Sequence, residues 1–313
     1  MALKKTLPLW RALVAVFVSL LAAFASLYTV ATTWRGTVDT ALGTTSYETT
    51  ADERFVSDYK TSDDLIAAHE ELGERAGAEG AVLLKNEGKA LPLTEETPRV
   101  TLFGMGSMYP FQGGVMGSTS EGKVNLVDAL EEKGIAVNPT MVNVYTTLGN
   151  VQTGTKPGMW PGAPSTPVYG HRPSGFSNPY KPSEPSTDVY ATDGGQADWA
   201  SSYASDYNDA AIIVLSRPGS EGSDFYPGTA GVDTSTGATS ALGLCDNERE
   251  LIDLAGSAGF DRVIVLINSG SVMEIQEIKE DATVDAIMFV GYPGDYGFLG
   301  IADVIKGNKS PSG

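Results

Sequence analysis

Apolar and polar positions along the 313-residue chain fall into three regimes. From Ala12 to about Thr33 the residues are almost all apolar and carry no charge, with Arg11 before and Arg35 after. As a helix this run is long enough to cross ~30 Å of hydrocarbon. From residue 37 to about 61 the chain is polar and short of large aliphatic side chains, the composition of a linker. From Ser62 onward, apolar runs of strand length alternate with helical patterns.

The third regime predicts the fold. Ser62-Asp63-Asp64 offers a polar cap to a helix in which Leu65, Ile66, His69, Leu72 and Ala76 recur at spacings of three and four, running into Val82-Leu83-Leu84. There follow the strand Val100–Phe103, the helix Leu126–Lys133, and the strands Ile135–Val137 and Ala211–Leu215. The helix Asn247–Ala258 and the strands Val263–Ile267 and Ala286–Val290 complete the series. That order specifies an α/β fold, a mainly parallel sheet flanked by helices in a three-layer α/β/α sandwich, preceded by one N-terminal transmembrane helix. The expected organisation is a basic tip and anchor over 1–36, a linker over 37–61 and one large domain over 62–313. Between about 151 and 193 the pattern breaks into a stretch dense in Pro, Gly, Ser, Thr and Tyr, read as an insert that is either functional or disordered.

Lys4, Lys5 and Arg11 set the orientation of the apolar segment, because basic flanks stay on the cytoplasmic side. The rival reading is a cleaved signal peptide with Ala23-Phe24-Ala25 as its small-residue cleavage site. The anchor is preferred because Leu27, Tyr28, Val30 and Trp34 carry the apolar run past that site toward an interfacial aromatic. Either reading exports the rest of the chain. The expected localisation is the cell membrane, single-pass, with the domain outside the cytoplasm.

Charge narrows the partners. Beyond Gly36, 17 basic residues face 39 acidic ones, a net charge of −22. Such a surface repels nucleic acid and anionic lipid heads and leaves neutral partners such as sugars. Cys245 is the only cysteine, which rules out an intrachain disulfide; with His69 and His171 it makes too few donors for a His/Cys zinc cluster.

In sheets of this kind ligands sit beyond the carboxyl ends of the strands, so the loops after the strands carry the candidate chemistry. After Ala211–Leu215 comes Ser216-Arg217-Pro218-Gly219-Ser220-Glu221-Gly222-Ser223-Asp224, where flanking glycines free the backbone to present the Glu221 carboxyl outward. After Val100–Phe103 comes Gly104-Met105-Gly106-Ser107, extending through Gly113-Gly114-Val115-Met116-Gly117-Ser118-Thr119-Ser120-Glu121. A dinucleotide-binding turn is disfavoured there: the third glycine is missing, the helix opens some twenty residues too late, and no acidic residue closes the strand at Val137-Asn138. In Asn268-Ser269-Gly270-Ser271, Ser269 or Ser271 is expected to cap a helix containing Val272 and Ile275. Gly291-Tyr292-Pro293-Gly294 reads as a turn with a helix start. Within the insert, Trp160, Tyr169, Tyr180 and Tyr190 suggest either a sugar-stacking platform or local packing.

Five ordered segments carry a family resemblance: Ala81–Asn86 closed by Leu91-Pro92-Leu93, then Ser220–Asp224, Asn268-Ser269-Gly270, Tyr292-Pro293-Gly294 and Ser310-Pro311-Ser312-Gly313. In that order they resemble the α/β sandwich domain of family-3 glycoside hydrolases. Lys85-Asn86 with Leu91-Pro92-Leu93 is the most family-specific run and reads as structural. The resemblance implies a retaining β-glucosidase type of activity with no metal or organic cofactor, because two carboxylates suffice for the chemistry. It implies that Glu221 is the acid/base, with Asp224 as a sugar-hydroxyl ligand or fallback acid. It also implies that the glycine- and serine-rich loop, represented by Gly114, Ser118 and Glu121, shapes the sugar pocket.

The same resemblance implies that the nucleophile belongs to a (β/α)8 barrel expected downstream, in a reversed domain order, and that the chain is truncated before it. The expected partners are therefore a glycoside substrate, the membrane through the N-terminal helix, and the barrel, with no nucleic acid. A non-catalytic surface glycan-binding or scaffold domain is the alternative.

Overall fold

Alternate residues of the central strands serve opposite faces of one sheet, and this decides where every helix goes. In the computed structural model, residues 3–42, 57–113, 122–157, 162, 164–173, 181–188, 199–204, 206–219 and 232–313 are described. They form two units, Met1–Lys60 and Thr61–Gly313.

In the first unit, α1 (Leu3–Thr33) is followed by α2 (Arg35–Leu42). Within α1, Pro8–Thr33 spans 26 residues of mean hydropathy 2.3 with no part buried, about 39 Å at 1.5 Å per residue. Its hydroxyls fold back on their own helix: Ser26 Oγ donates to Ala22 O, and Thr29 Oγ1 to Ala25 O, both at 2.9 Å. Thr33 Oγ1 donates to Thr29 O at 2.8 Å. These hydroxyls are thus satisfied within the helix itself. By length and composition this helix can cross a membrane; a signal sequence has the same properties.

The second unit starts with α3 (Ser62–Gly80), β1 (Val82–Asn86), β2 (Arg99–Phe103), α4 (Met105–Met108), α5 (Leu126–Glu132), β3 (Ala136–Val137) and α6 (Pro139–Gly149). A hairpin of β4 (Gln152–Lys156) and β5 (Thr166–Tyr169) precedes α7 (Trp199–Ala204). Then come β6 (Ala210–Arg217), α8 (Asp246–Ser257), β7 (Val263–Ser269), α9 (Gln276–Glu280), β8 (Ala286–Phe289) and α10 (Gly297–Lys306). The six-stranded sheet runs β1-β8-β7-β6-β2-β3, parallel except for β1 against β8. This is the mainly parallel, helix-flanked sheet expected from the sequence.

Even-numbered residues of the middle strands (Val100, Leu102, Ile212, Val214, Ile264, Leu266) pack with α3, α5 and α10. Odd-numbered ones (Phe103, Ile213, Leu215, Val265, Ile267) pack with α6, α7 and α8. Buried on both faces, β6 and β7 read as unbroken apolar runs. Each such side chain contributes about 1.5–3 kcal/mol by leaving water.

Helix α3 departs from its expected presentation. Thr61 rather than a residue of Ser62-Asp63-Asp64 is its N-cap, exchanging hydrogen bonds with Asp64. Leu65, Ile66 and Leu72 are more than half exposed. The inner face is glycine instead: a Cβ on Gly77 would overlap the Gly297 carbonyl, and one on Gly300 the Glu74 carbonyl. Small residues let α3 and α10 approach closely, and the longer aliphatics are turned outward.

Lys85 and Asn86 are structural, as expected. The buried Lys85 Nζ donates to Lys279 O at 3.1 Å and Asp281 O at 2.8 Å, satisfying carbonyls at the end of α9. Asn86 closes the loop to Leu91 through both carboxamide atoms, each at 2.9 Å.

Candidate active site

The sheet changes winding direction between β2 and β6. From β2 the chain adds β3 on one side, while β6, β7 and β8 extend the sheet on the other. Ligand crevices of open α/β sheets form at such a reversal, beyond the carboxyl ends of the strands. The two loops of greatest chemical interest leave from the two strands that flank it. β2 and β6 are parallel neighbours, paired from Val100↔Ala210 to Phe103↔Ile213.

The root of the loop after β2 is pressed against β6. Gly104 has φ +88, and a Cβ there would sit 2.6 Å from Val214 O, so only glycine suits the turn. Gly104 N donates to Tyr145 Oη at 2.7 Å, and Met105 N to Glu184 Oε2 at 2.7 Å. Farther along, Asn268 at the end of β7 binds both backbone groups of Phe111. Its Oδ1 accepts from Phe111 N at 2.7 Å, and its Nδ2 donates to Phe111 O at 2.8 Å. Asn268 also donates to Gly291 O at 2.7 Å and accepts from Ser216 Oγ at 3.0 Å. One fully buried carboxamide therefore joins the loops after β2 and β8 to the end of β6.

Gln112 then closes the neck of the glycine- and serine-rich loop. Its Oε1 accepts from Gly122 N at 2.8 Å, its Nε2 donates to Val124 O at 2.9 Å, and its carbonyl accepts from Gly294 N at 2.6 Å. The Asp295 carbonyl accepts from Lys123 N and Val124 N at 3.0 and 2.9 Å. Residues 113 and 122 thus enter and leave one fixed collar.

The loop after β6 starts from a similarly fixed stem. Arg217 is fully buried and forms a two-pronged ion pair with Glu248 of α8, Nη1 to Oε1 at 2.6 Å and Nη2 to Oε2 at 2.7 Å. Its remaining donors go to Ala241 O, Gly243 O and Ser216 O. Glu248 also accepts from Cys245 N at 3.0 Å. Burial, reinforced by the Glu248 charge, pushes the Cys245 thiol up to about 12, so this cysteine is inert. Tyr292 Oη donates to Arg217 O at 3.0 Å, and burial raises the Tyr292 hydroxyl above its ordinary range against the pull of the Gly270 and Gly219 amides. Gly219 and Gly270 meet so closely that a Cβ on Gly219 would sit 2.6 Å from Ser271 Oγ.

Glu221, Asp224, Gly114, Ser118 and Glu121 lie outside the described residues, as do Trp160, Tyr180 and Tyr190. The stems on which the first five are carried are described, and they emerge from adjacent strands at one end of the sheet. Tyr169 is described: the Arg172 guanidinium lies 3.9 Å from its ring centroid and 4.3 Å from that of Tyr109. Arg172 also binds Gly149 O and Asn150 Oδ1 at 2.7 and 2.9 Å, anchoring the hairpin to the end of α6. Thus part of the insert is an ordered antiparallel hairpin.

One expectation is corrected. Neither Ser269 nor Ser271 caps a helix: Ser269 Oγ accepts from Ser271 N at 3.1 Å and donates to Ser271 O at 2.7 Å, a local turn. Helix α9 begins only at Gln276. Sequence reasoning also missed Gln112, Arg217 and Glu184. A charged residue ending an otherwise apolar strand run was the available signal for Arg217. Among the described residues no group of three or more His, Cys, Asp or Glu could hold a metal ion.

Comparison with known proteins agrees with this fold. Residues 81–313 match the Glycosyl hydrolase family 3 C-terminal domain. Beta-glucosidase A of Butyrivibrio fibrisolvens is 27% identical over 265 residues, covering 78% of this chain and 28% of that protein. Beta-D-xylosidase 3 of Arabidopsis thaliana is 42% identical over 72 residues, 23% of this chain and 9% of that protein. Beta-glucosidase 3B from Thermotoga neapolitana, solved in complex with alpha-D-glucose, superposes with a TM-score of 0.55 at 25% identity, covering 78% of this chain and 30% of that one. The chain therefore spans less than a third of these relatives' length. With the matched region covering the sheet, the helices that follow α3 and both loop stems, the chain belongs to glycoside hydrolase family 3, as its C-terminal-type domain.

Proposed function

We propose that this domain contributes the acid/base carboxylate, Glu221, to a retaining β-glycosidase of the β-glucosidase type, the nucleophilic Asp being supplied by a barrel domain. The observation that carries the reading is the shared exit of the two loops. The stem at Arg217-Pro218-Gly219 and the collar at Gln112 both stand at the carboxyl ends of strands flanking the winding reversal. Loops that leave adjacent strands at one end of the sheet support a carboxyl on the first serving a sugar pocket on the second.

In this reading Glu221 protonates the glycosidic oxygen as the nucleophile attacks the anomeric carbon, and later takes a proton from the water that hydrolyses the glycosyl-enzyme. The two carboxyls must stand about 5–5.5 Å apart. Glu221 must stay protonated until cleavage, which requires burial against substrate or a nearby negative charge; Asp224, three residues on, can supply that charge or bind a sugar hydroxyl. Gly114, Ser118 and Glu121 line the pocket. The apolar helix of the first unit anchors the enzyme in the cell membrane with the domain outside. The xylosidase among the relatives makes aryl β-xylosides a necessary second substrate beside aryl β-glucosides.

Glu221→Gln in the enzyme with its barrel domain tests the assignment: hydrolysis of either substrate class, with a leaving group poor enough to need protonation, should fall by about 10²-fold or more, the range for a lost general acid. An unchanged rate transfers the role to Asp224 or elsewhere. Loss of all activity without the barrel, together with retained sugar binding, is expected of the isolated chain.

A further inference from the structure

Glu184 lies inside the segment read from the sequence as an insert, yet it is one of the few charged side chains buried in the domain among the described residues, at 8% exposure. Its carboxylate accepts the Met105 amide at 2.7 Å, and its own carbonyl accepts Asn247 Nδ2 at 2.8 Å. Pro182 and Pro185, also buried, flank it and restrict the backbone. Met105 is the first residue past Gly104, at the root of the loop that leads to Gly114–Glu121. Asn247 stands in the first turn of α8 beside Glu248, the partner of Arg217. One residue therefore bridges the root of the first loop to the first turn of α8, next to the carboxylate that holds the Arg217 stem. The Met105 amide opens a helical turn and has no acceptor within it, so the buried carboxylate is what satisfies it.

We infer that Glu184 is a positioning residue for the glycoside site: it fixes the root of the sugar-binding loop relative to α8 and so to the Arg217 stem. The inference rests on the functional reading above and deepens it. It assigns to the insert a positioning part in substrate binding, separate from the aromatic platform considered from the sequence. Because a backbone amide needs only an oxygen acceptor, the Met105 contact can be kept by Glu184→Gln and is lost in Glu184→Ala.

The test has two readouts. In the chain itself, hydrogen exchange at residues 105–113 and 122–124 should speed up about tenfold or more in Glu184→Ala, while amides of β7 stay protected. Glu184→Gln, which keeps the acceptor, should return exchange to within about twofold. In the enzyme with its barrel, Glu184→Ala should raise KM about tenfold while kcat changes less than about threefold, the signature of lost substrate positioning rather than lost chemistry, and Gln should restore KM. An unchanged KM in the alanine variant, or a glutamine variant no better than alanine, overturns the inference. If Glu184→Ala does not fold, Asn247→Ala severs the other tether and carries the same expectation. A normal rate in Glu221→Gln alongside the KM effect overturns the acid/base assignment alone; the reverse pattern overturns the positioning role alone.

Discussion

The carboxamide of Asn268 brackets the peptide groups of Phe111, donating to its carbonyl at 2.8 Å and accepting from its amide at 2.7 Å. These residues are 157 positions apart, and both are buried. A loop that a sequence presents as flexible is in this way held by the end of a strand two places away in the sheet.

Asn268→Ala should therefore be costly. It leaves two buried backbone groups of Phe111 without partners and releases Gly291 O and Ser216 Oγ as well. At about 1–3 kcal/mol for an unsatisfied buried group, partly relieved by relaxation, urea denaturation should show a loss of about 2–4 kcal/mol. A loss below about 0.5 kcal/mol would mean that the loop holds its course without the carboxamide.

The Arg217–Glu248 pair should behave asymmetrically. Arg217→Met leaves Glu248 buried and unpaired, and is expected to lower stability by about 3–5 kcal/mol. Arg217→Met with Glu248→Leu removes both charges and should recover much of that loss, although Cys245 N and the 241–243 carbonyls then lose partners. A double variant less stable than the single one would show that Glu248 stabilises the start of α8 through Cys245 N even without its charged partner.

Acid stability should depend on Asp303. Burial alone would raise its pKa, but Asn308, the contact with Glu74, Lys309 and the charge of Lys133 together hold it below the usual carboxylate value. The folded state then binds this proton less readily than the unfolded state does. The stabilisation is complete above an unfolded pKa of about 3.9 and is lost as pH falls through the lower folded value. Unfolding free energy measured from pH 6 down to pH 2 should fall less steeply in Asp303→Asn than in the wild type. Parallel curves would remove Asp303 from the account.

Cys245 should not react with an aromatic disulfide reagent at pH 8, because its thiol is buried and pushed up to about 12. Labelling should track global unfolding in denaturant. Rapid labelling of the native chain would mean that the α8 start opens locally.

The strands β2, β6, β7 and β8 were legible because burial on both faces writes them as short unbroken apolar runs. Of helix α10 only the start after the Gly291–Gly294 turn was legible: Gly297 to Ile305 is buried all round, so it shows no 3.6-residue stripe, and its two glycines lower its propensity. In α3 the spacing of Leu65, Ile66 and Leu72 located the helix but pointed to the wrong inner face, because close packing on α10 selects glycine. The loops at the site were legible from their glycines and their position after strands. What fixes them was not, since Asn268 with Phe111 and Glu184 with Met105 are contacts across 157 and 79 residues that no local pattern records.

The proposed chemistry turns on a proton delivered by Glu221. Its most direct test compares Glu221→Gln with the parent enzyme on two β-glucosides, one with a poor leaving group that needs protonation and one with a dinitrophenyl group that does not. The first should slow by about 10²-fold or more while bond cleavage in the second is nearly unchanged. Equal effects on both substrates, or none on the first, would contradict it.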